Sequence, residues 1–412
     1  MEKVAIIGGG VVGLFSAYYL SNEGHQVVVI DKGDFSQGCS FGNAGMIVPS
    51  HVIPLAAPGM ITKGVRWMFD QKSPFYIKPR INRELVSWGL KFYRSANQNH
   101  VDTSKTALRD LSLLSKSLYH KIASEFDQFQ YEENGLLMLY RTPNVGHEEI
   151  EAGKIALDLG LEVDFLDQNQ LHSLDYGVST SAIGGVHYKS DAHLNPNRLM
   201  SFLLSKLRTN GVEFIEKTEI EQIEQRNGGI YSLQTKAGVI EADQYVVAAG
   251  SWSSSLAKSL GEELLLLPGK GYSFTKEFLL HQPKIPTILC EGKVAVTPFG
   301  NSTRFGGTME ITHVRDNFIN MKRVEGIVDT INAFYPDANI YLPKESEVWK
   351  GFRPCSPTGL PYIARSQRIS NVVYATGHGM MGLSLAPATG LLVSELISEK
   401  KTSLSLSHFA VG

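Results

Sequence analysis

The sequence predicts an α/β fold built on a parallel sheet, and three observations predict it. The chain opens on a strand, a glycine-rich turn and a helix. The same strand–glycine–helix order returns around residue 250 and again around residue 377. The 412 residues are 43% apolar and 19% charged, ample for the packed cores of two or three domains.

The first unit is the most informative. Residues 4–7 read as a short buried strand running directly into Gly8-Gly9-Gly10-Val11-Val12-Gly13. Leu14, Ala17, Tyr18 and Leu20 then recur at helical spacing, and a second strand at 26–30 ends in Asp31 and Lys32. A lone G-x-G-x-x-G is weak evidence. Between a strand and a helix, with an acid closing the next strand, it is the dinucleotide fingerprint of a Rossmann-like domain. Gly8 makes the tight turn, and Gly10 lets a pyrophosphate approach the positive helix terminus that Val11 and Val12 open. Gly13 lets helix and strand pack closely, and Asp31 accepts hydrogen bonds from a ribose. The fingerprint by itself does not separate NAD from FAD.

The second unit, "QYVVAAGSWSSSLA" (244–257), reads as a buried strand, a turn at Gly250 and a helix capped by Ser251 or Ser253. The third, "NVVYATGHGMMGLSLAPATGLLVSELI" (371–397), closes the sheet. Its helix begins near 382–384, and its positive end is placed to face a developing negative charge. Just before it, "GFRPCSPTGLPYIA" (351–364) has two glycines and three prolines. That composition makes a strand end running into a rigid turn. Arg353 stands at the junction, where a planar five-donor fork held still suits bidentate recognition of a carboxylate.

A net charge of −2 argues against nucleic acid as a partner. Cys39, Cys290 and Cys355 lie far apart without metal-ligand spacing, so no metal is expected and a reducing cytoplasm is. The apolar start is broken by glycines, lacks a small-residue cleavage site after it, and no uninterrupted apolar run reaches the ~20 residues a membrane span needs. The expectation is a soluble or peripherally attached protein. Residues 60–95 carry eight Lys/Arg against two Asp/Glu, interleaved with Trp67, Phe69, Phe75, Tyr76, Ile77 and Trp88. Two readings fit that stretch: a solvated helix pair covering the second domain, or a face lying on an anionic membrane.

Taken in order, the fingerprint, "GCSFGNAGMIVPSHVIPLAAPGM" (38–60), "GGVHYKSDAHLNPNRL" (184–199), "AAGSWS", "LPGKGYSF" (267–274), "RFGGTME" (304–310), "WKGFRPCSPTGLPYIA" and "TGHGMMGLSLAPATG" span nearly the whole chain. Together they resemble the flavin-dependent family of D-amino acid oxidases, glycine oxidases and sarcosine oxidases (DAO). The "NAGM…P…APG" segment is most similar to the bacterial D-amino acid dehydrogenases.

The resemblance implies a glutathione-reductase-type fold with two interleaved domains. An FAD-binding domain takes residues 1–50, 195–262 and 350–412, and an antiparallel-sheet substrate domain takes 51–194 and 263–349. It implies cofactor contacts from Lys32, from Ser40, Asn43, Ala44, Gly45 and Met46, and from Ala249, Gly250 and Trp252. The segment Gly377, His378, Gly379, Met380, Met381, Gly382, Leu383 and Ser384 completes the set, with His378 also a candidate donor to the reduced flavin or an ordinary loop histidine. Arg353 is implied as the ligand of the substrate carboxylate, Tyr272 as a residue reaching the carboxylate or amine, and His51 as a pocket residue. Some members attach the flavin through a cysteine near the arginine segment; with the turns aligned, Gly351 and not Cys355 falls there, so FAD is expected to be noncovalent. The implied reaction is dehydrogenation of a D-amino acid, a proline-type substrate such as cis-4-hydroxy-D-proline foremost, with electrons passed to a quinone or respiratory chain. Alternatives are a glycine- or sarcosine-type oxidase using oxygen and an electron-relay subunit.

Overall fold

The computed structural model describes residues 1–411 other than 69, 79, 81 and 175; Phe69 therefore lies outside the described residues. The three strand–glycine–helix units do share one sheet. Its six strands run Tyr362–Arg365, Val372–Thr376, Gln244–Val247, Lys3–Ile7, Gln26–Ile30 and Glu213–Ile215, all parallel except the antiparallel edge strand Tyr362–Arg365. Both faces are covered, which explains why these strands are continuous apolar runs. Val4 and Ile6 pack on the helices Val11–Asn22, Gln98–Phe126, Pro196–Thr209 and Gly382–Ile397. Ala5 and Ile7, one residue out of phase, pack on the small antiparallel sheet Ile220–Arg226, Gly229–Thr235 and Gly238–Ile240.

The second sheet has nine strands. Its main path is Trp349–Cys355, Leu267–Glu277, Ser302–Ile311, Val294–Phe299, Thr287–Leu289, Leu136–Tyr140, Gly184–Tyr188 and Val163–Asp167, with Phe75–Ile77 beside Ser302–Ile311. The helix Met321–Phe334 buries Val324, Ile327, Val328 and Ile331 against one face. The opposite face, carrying Met138, Tyr188, Ser273, Ala295 and Arg353, lines a cavity between the two sheets.

Two elements lie across the expected domain limits. The strand Trp349–Cys355 pairs with Leu267–Glu277 in the larger sheet, although residues from 350 were expected with the nucleotide sheet. The helix Gln98–Phe126, expected in the substrate domain, turns its buried stripe Leu108, Leu111, Ser115, Tyr119 and Ile122 to the nucleotide-sheet side. Ser115 donates to the Ser384 carbonyl at 2.6 Å and Tyr119 to that of Leu383 at 2.8 Å. The stretch Gly379–Ile397 is long and apolar enough to cross a bilayer, but most of it is buried in this packing. In the basic stretch, the helices Met60–Trp67 and Arg83–Ser95 flank the strand Phe75–Ile77.

Candidate active site

The cavity between the sheets measures about 1980 Å³, well beyond the few hundred to ~1,000 Å³ usual for one small ligand. The first fingerprint turn forms one end. Gly8 has φ +114°, and a Cβ there would stand 2.5 Å from the Ala248 carbonyl oxygen; one on Gly13 would meet the Gly8 oxygen at 2.0 Å. These two contacts let the strand, turn and helix close on one another. Gly10 leaves open space, since the nearest atom to a Cβ would be Ser40 Oγ at 3.7 Å. The helix it opens has neither a side-chain cap nor an acid in its first turn. Its unspent positive end therefore faces the cavity. Ser40 Oγ accepts one of the free amides, Val11 N–H, at 3.0 Å.

Asp31 lies where a ribose acceptor is required, and its carboxylate also holds the turn together. Oδ2 accepts Gly9 N–H and Oδ1 accepts Gly33 N–H, both at 2.7 Å. Lys32 places its ammonium 3.3 Å over the Trp252 ring, a cation–π contact that brings two of the expected cofactor residues together. Ala249 and Gly250 line the same end. The helix after Gly250 begins as a 3-10 turn, Gly250–Trp252, and neither serine caps it. Ser251 donates instead to the Phe352 carbonyl and Ser253 to Thr376 Oγ1, both at 3.1 Å, tying the turn to neighbouring strands.

The loop bearing Asn43, Ala44, Gly45 and Met46 crosses the middle of the cavity. Asn43 Oδ1 accepts Gly45 N–H at 2.8 Å, Gly45 adopts φ +79°, and Met46–Ile47 pairs with Ala192–His193. Arg304 holds this loop: its Nη1 donates to the carbonyls of Phe41 at 2.7 Å and Asn43 at 2.8 Å. Val48 N–H donates to Ser384 Oγ at 2.9 Å, joining the loop to the second uncapped helix terminus, that of Gly382–Ile397. Gly377 and Gly379 take left-handed φ of +80° and +55°, and Met380, Met381 and Leu383 line the cavity beside them. His378 is buried, its Nε2 2.9 Å from Thr389 Oγ1. Thr389 gives its own proton to the Leu385 carbonyl, so Nε2 carries the donated hydrogen. Burial pushes the His378 pKa down to about 3, so the ring is neutral and brings no cationic charge to the cavity.

Arg353 lies on the wall formed by the larger sheet. Its Nη1 donates to the Thr308 carbonyl at 2.6 Å, and among the described residues no carboxylate lies within ion-pair distance of it. Burial disfavours its charge. A desolvated guanidinium without an acidic partner is a site for an anion. The guanidinium lies across Gly271, where a Cβ would come within 2.1 Å of Nη1. Opposite Gly271 the register between the two strands shifts, and in that bulge Thr308 takes φ +61°. Such a conformation is a strained outlier for a β-branched residue. Thr308 Oγ1 is buried without a hydrogen-bond partner, and Thr308 lines the cavity. Sequence reading missed Thr308 and Gly271, since bulges arise from pairing that a single strand does not reveal.

Tyr272 requires a correction. Strand alternation puts Gly271 on the Arg353 face, and the Tyr272 side chain packs on the other, with the helix Met321–Phe334. Its hydroxyl donates to Glu310 at 2.6 Å and accepts Asn320 N–H at 3.1 Å. It has no donor left for a ligand in the cavity. Cys355 is buried, with its thiol pushed up to about 11 by burial. Cys39 exchanges hydrogen bonds with the Phe352 backbone, and burial likewise raises its pKa.

An open glycine cradle, two uncapped helix termini and an acid at the end of the second strand, all on one elongated cavity, fit a dinucleotide. Residues 3–396 match the family model described as FAD dependent oxidoreductase (DAO). The chain is 31% identical over 417 aligned residues to a D-amino acid dehydrogenase of Vibrio atlanticus, covering 99% of each, and 29% identical to one of Helicobacter pylori, covering 96% of this chain and 94% of that one. Among solved structures it is similar to glycine oxidase from Bacillus cereus, with a TM-score of 0.76 at 21% identity over 98% of this chain and 96% of that one. It is also similar to L-proline dehydrogenase from P. horikoshii, with a TM-score of 0.74 at 19% identity over 99% and 96%. With the fingerprint, the interleaved sheets and the shared cavity agreeing with a family match along almost its whole length, the chain belongs to the DAO family of FAD-dependent oxidoreductases.

Proposed function

We propose that this enzyme dehydrogenates a D-amino acid, with Arg353 holding the substrate carboxylate. The observation that carries the reading is Arg353 itself: a half-buried, desolvated guanidinium on a strand, without an acidic partner among the described residues, beside an unpartnered threonine hydroxyl. The curated relatives named D-amino acid dehydrogenase support the substrate class. When bound, FAD supplies the acceptor for the Cα hydrogen and its electron pair. The chain's part is to hold it through the fingerprint turn, the loop of Ser40 to Met46 and the segment around Gly382, and to place the substrate beside it. FAD is held without a covalent link, since Cys355 is buried against Met309 and does not line the cavity. Acid denaturation should release it into the supernatant.

An anaerobic screen of D- and L-amino acids, proline-type substrates included, tests the reading by flavin bleaching. Bleaching by a D-amino acid and not its enantiomer is expected; indifference to every amino acid overturns it. Rapid peroxide formation in air would point to oxygen as acceptor.

The reading extends to a quinone as acceptor, reached from a membrane surface. Val86, Leu90 and Tyr93 stand exposed along one face of Arg83–Ser95, whose other face buries Trp88, and Ile61 and Val65 are exposed on Met60–Trp67. Arg83, Arg94 and Lys63 border these residues. Flotation with anionic vesicles at low and high salt tests this, with binding expected only at low salt.

A further inference from the structure

A buried carboxylate stands behind the cavity wall with one route to it. Asp191 is fully buried and does not itself line the cavity. Its Oδ2 accepts the Ser50 hydroxyl at 2.5 Å and its Oδ1 accepts the Ser50 N–H at 3.0 Å. Ser50 Oγ in turn lies 3.1 Å from His51 Nδ1. Ser50 and His51 both line the cavity that holds Arg353. The serine has one proton and gives it to Asp191, so its oxygen accepts from Nδ1–H of His51. That sets the tautomer: Nε2 is left with a free lone pair and no hydrogen-bond partner among the described residues.

Dehydrogenation of an amino acid that arrives as its ammonium gains from such a group. The substrate arrives as an ammonium, and its nitrogen lone pair is required to expel the Cα hydrogen with its electrons. We propose that His51, Ser50 and Asp191 form a proton relay that takes the ammonium proton of the bound amino acid before its Cα hydrogen leaves; the proposal rests on the amino acid reading above. The step balances without oxidation or reduction. One N–H bond of the ammonium breaks and Nε2–H forms; Nδ1–H passes to Ser50, and the Ser50 proton passes to Asp191. The neutral amine then loses its Cα hydrogen and becomes a protonated imine, and the proton held on Asp191 returns by the same path once the product has gone.

The surroundings agree with the direction of transfer. Burial, which outweighs the two Ser50 hydrogen bonds, raises the Asp191 pKa to about 7, while burial lowers that of His51 to about 4. A proton reaching the imidazole therefore passes on to the carboxylate. The other charges near the relay are already matched. Glu149 beside His51 pairs with Lys293 at 2.8 Å, and Lys116 near Asp191 faces Glu133 at 3.6 Å.

Stopped-flow flavin reduction across pH, on FAD-loaded wild type, Asp191→Asn and Ser50→Ala, tests the relay. The wild-type rate should fall on the acid side as Asp191 becomes protonated. Each variant should lose about a hundredfold near neutral pH, a common worth of a positioned base. Each should recover towards wild type above the ammonium's own pKa, where the substrate arrives neutral. Infrared difference spectra should show a protonated carboxyl band on reduction of wild type that Asp191→Asn lacks. Ser50→Ala removes only a hydroxyl and carries the test should Asp191→Asn fail to fold. Variant profiles running parallel to wild type at every pH, or full variant rates at neutral pH, would overturn the relay. A wild type that no amino acid bleaches would instead overturn the amino acid reading, and the relay with it.

Discussion

Arg353 shows what one residue can and cannot reveal before its neighbours are known. Its place in a glycine- and proline-rich strand end was legible, because chain stiffness is written locally. Its freedom from acidic partners was not, because that depends on Thr308 and Gly271 brought from distant strands. Arg353→Lys keeps the charge but loses the planar fork, so kcat/KM should fall by about a hundredfold, the scale of an ångström's misplacement, with FAD retained. Arg353→Ala should fall further; near-wild-type reduction kinetics with unchanged substrate affinity would remove the carboxylate role. Tyr272 teaches the reverse lesson. A tyrosine in a strand is legible as half-buried, but which face it takes depends on register. Tyr272→Phe should leave flavin reduction intact and lower stability by about 1–3 kcal/mol, because Glu310 loses a buried donor; a denaturant melt beside a rate measurement separates the two.

At the scale of elements, the strand–glycine–helix units were readable because each carries its turn chemistry within a dozen residues. The strand Gln26–Ile30 and the helix start at Gly382 fall where periodicity placed them. The larger sheet was legible only through resemblance, since its strands meet across long separations: Trp349–Cys355 pairs with Leu267–Glu277, and Leu136–Tyr140 with Thr287–Leu289. The expected serine caps failed for a related reason. Ser251 and Ser253 found acceptors on neighbouring strands, contacts that no local pattern encodes. The bulge at Thr308 also makes Gly271 part of the anion site. Gly271→Ala should fold, because the obstructing atoms are the mobile end of a side chain, yet push the guanidinium aside. Substrate KM should rise at least tenfold with FAD affinity unchanged; an unaltered KM would show that the arginine does not need this glycine.

For the whole molecule, pH sensitivity follows from histidines folded in neutral form. Burial lowers His51 and His193 to about 4 and His378 to about 3, so the unfolded chain takes up their protons near pH 6.5 while the folded chain refuses them. The stability they contribute above pH 6.5 is lost as pH falls through that window. Asp191 opposes them: raised to about 7 from 3.8, it binds its proton in the folded state first and favours the fold as pH drops below 7. The histidines outweigh the single carboxylate, so stability should fall by on the order of a few kcal/mol between roughly pH 6 and 4, visible as a fall in Tm; a flat Tm over that range would contradict the neutral assignments. The interleaving of the two sheets has a further consequence in time. The strand Gln244–Val247 acquires its neighbour Val372–Thr376, and the first helix its packing partner Gly382–Ile397, only when the last part of the chain exists. At a synthesis rate of ~5–20 residues per second, the first helix waits ~20 seconds or more for that partner. The larger sheet has its last strand by Cys355, so the nucleotide sheet is the one that must close last. A chain ended before Val372 should therefore leave the nucleotide sheet protease-sensitive and hold no FAD, whereas the full chain should be protected there.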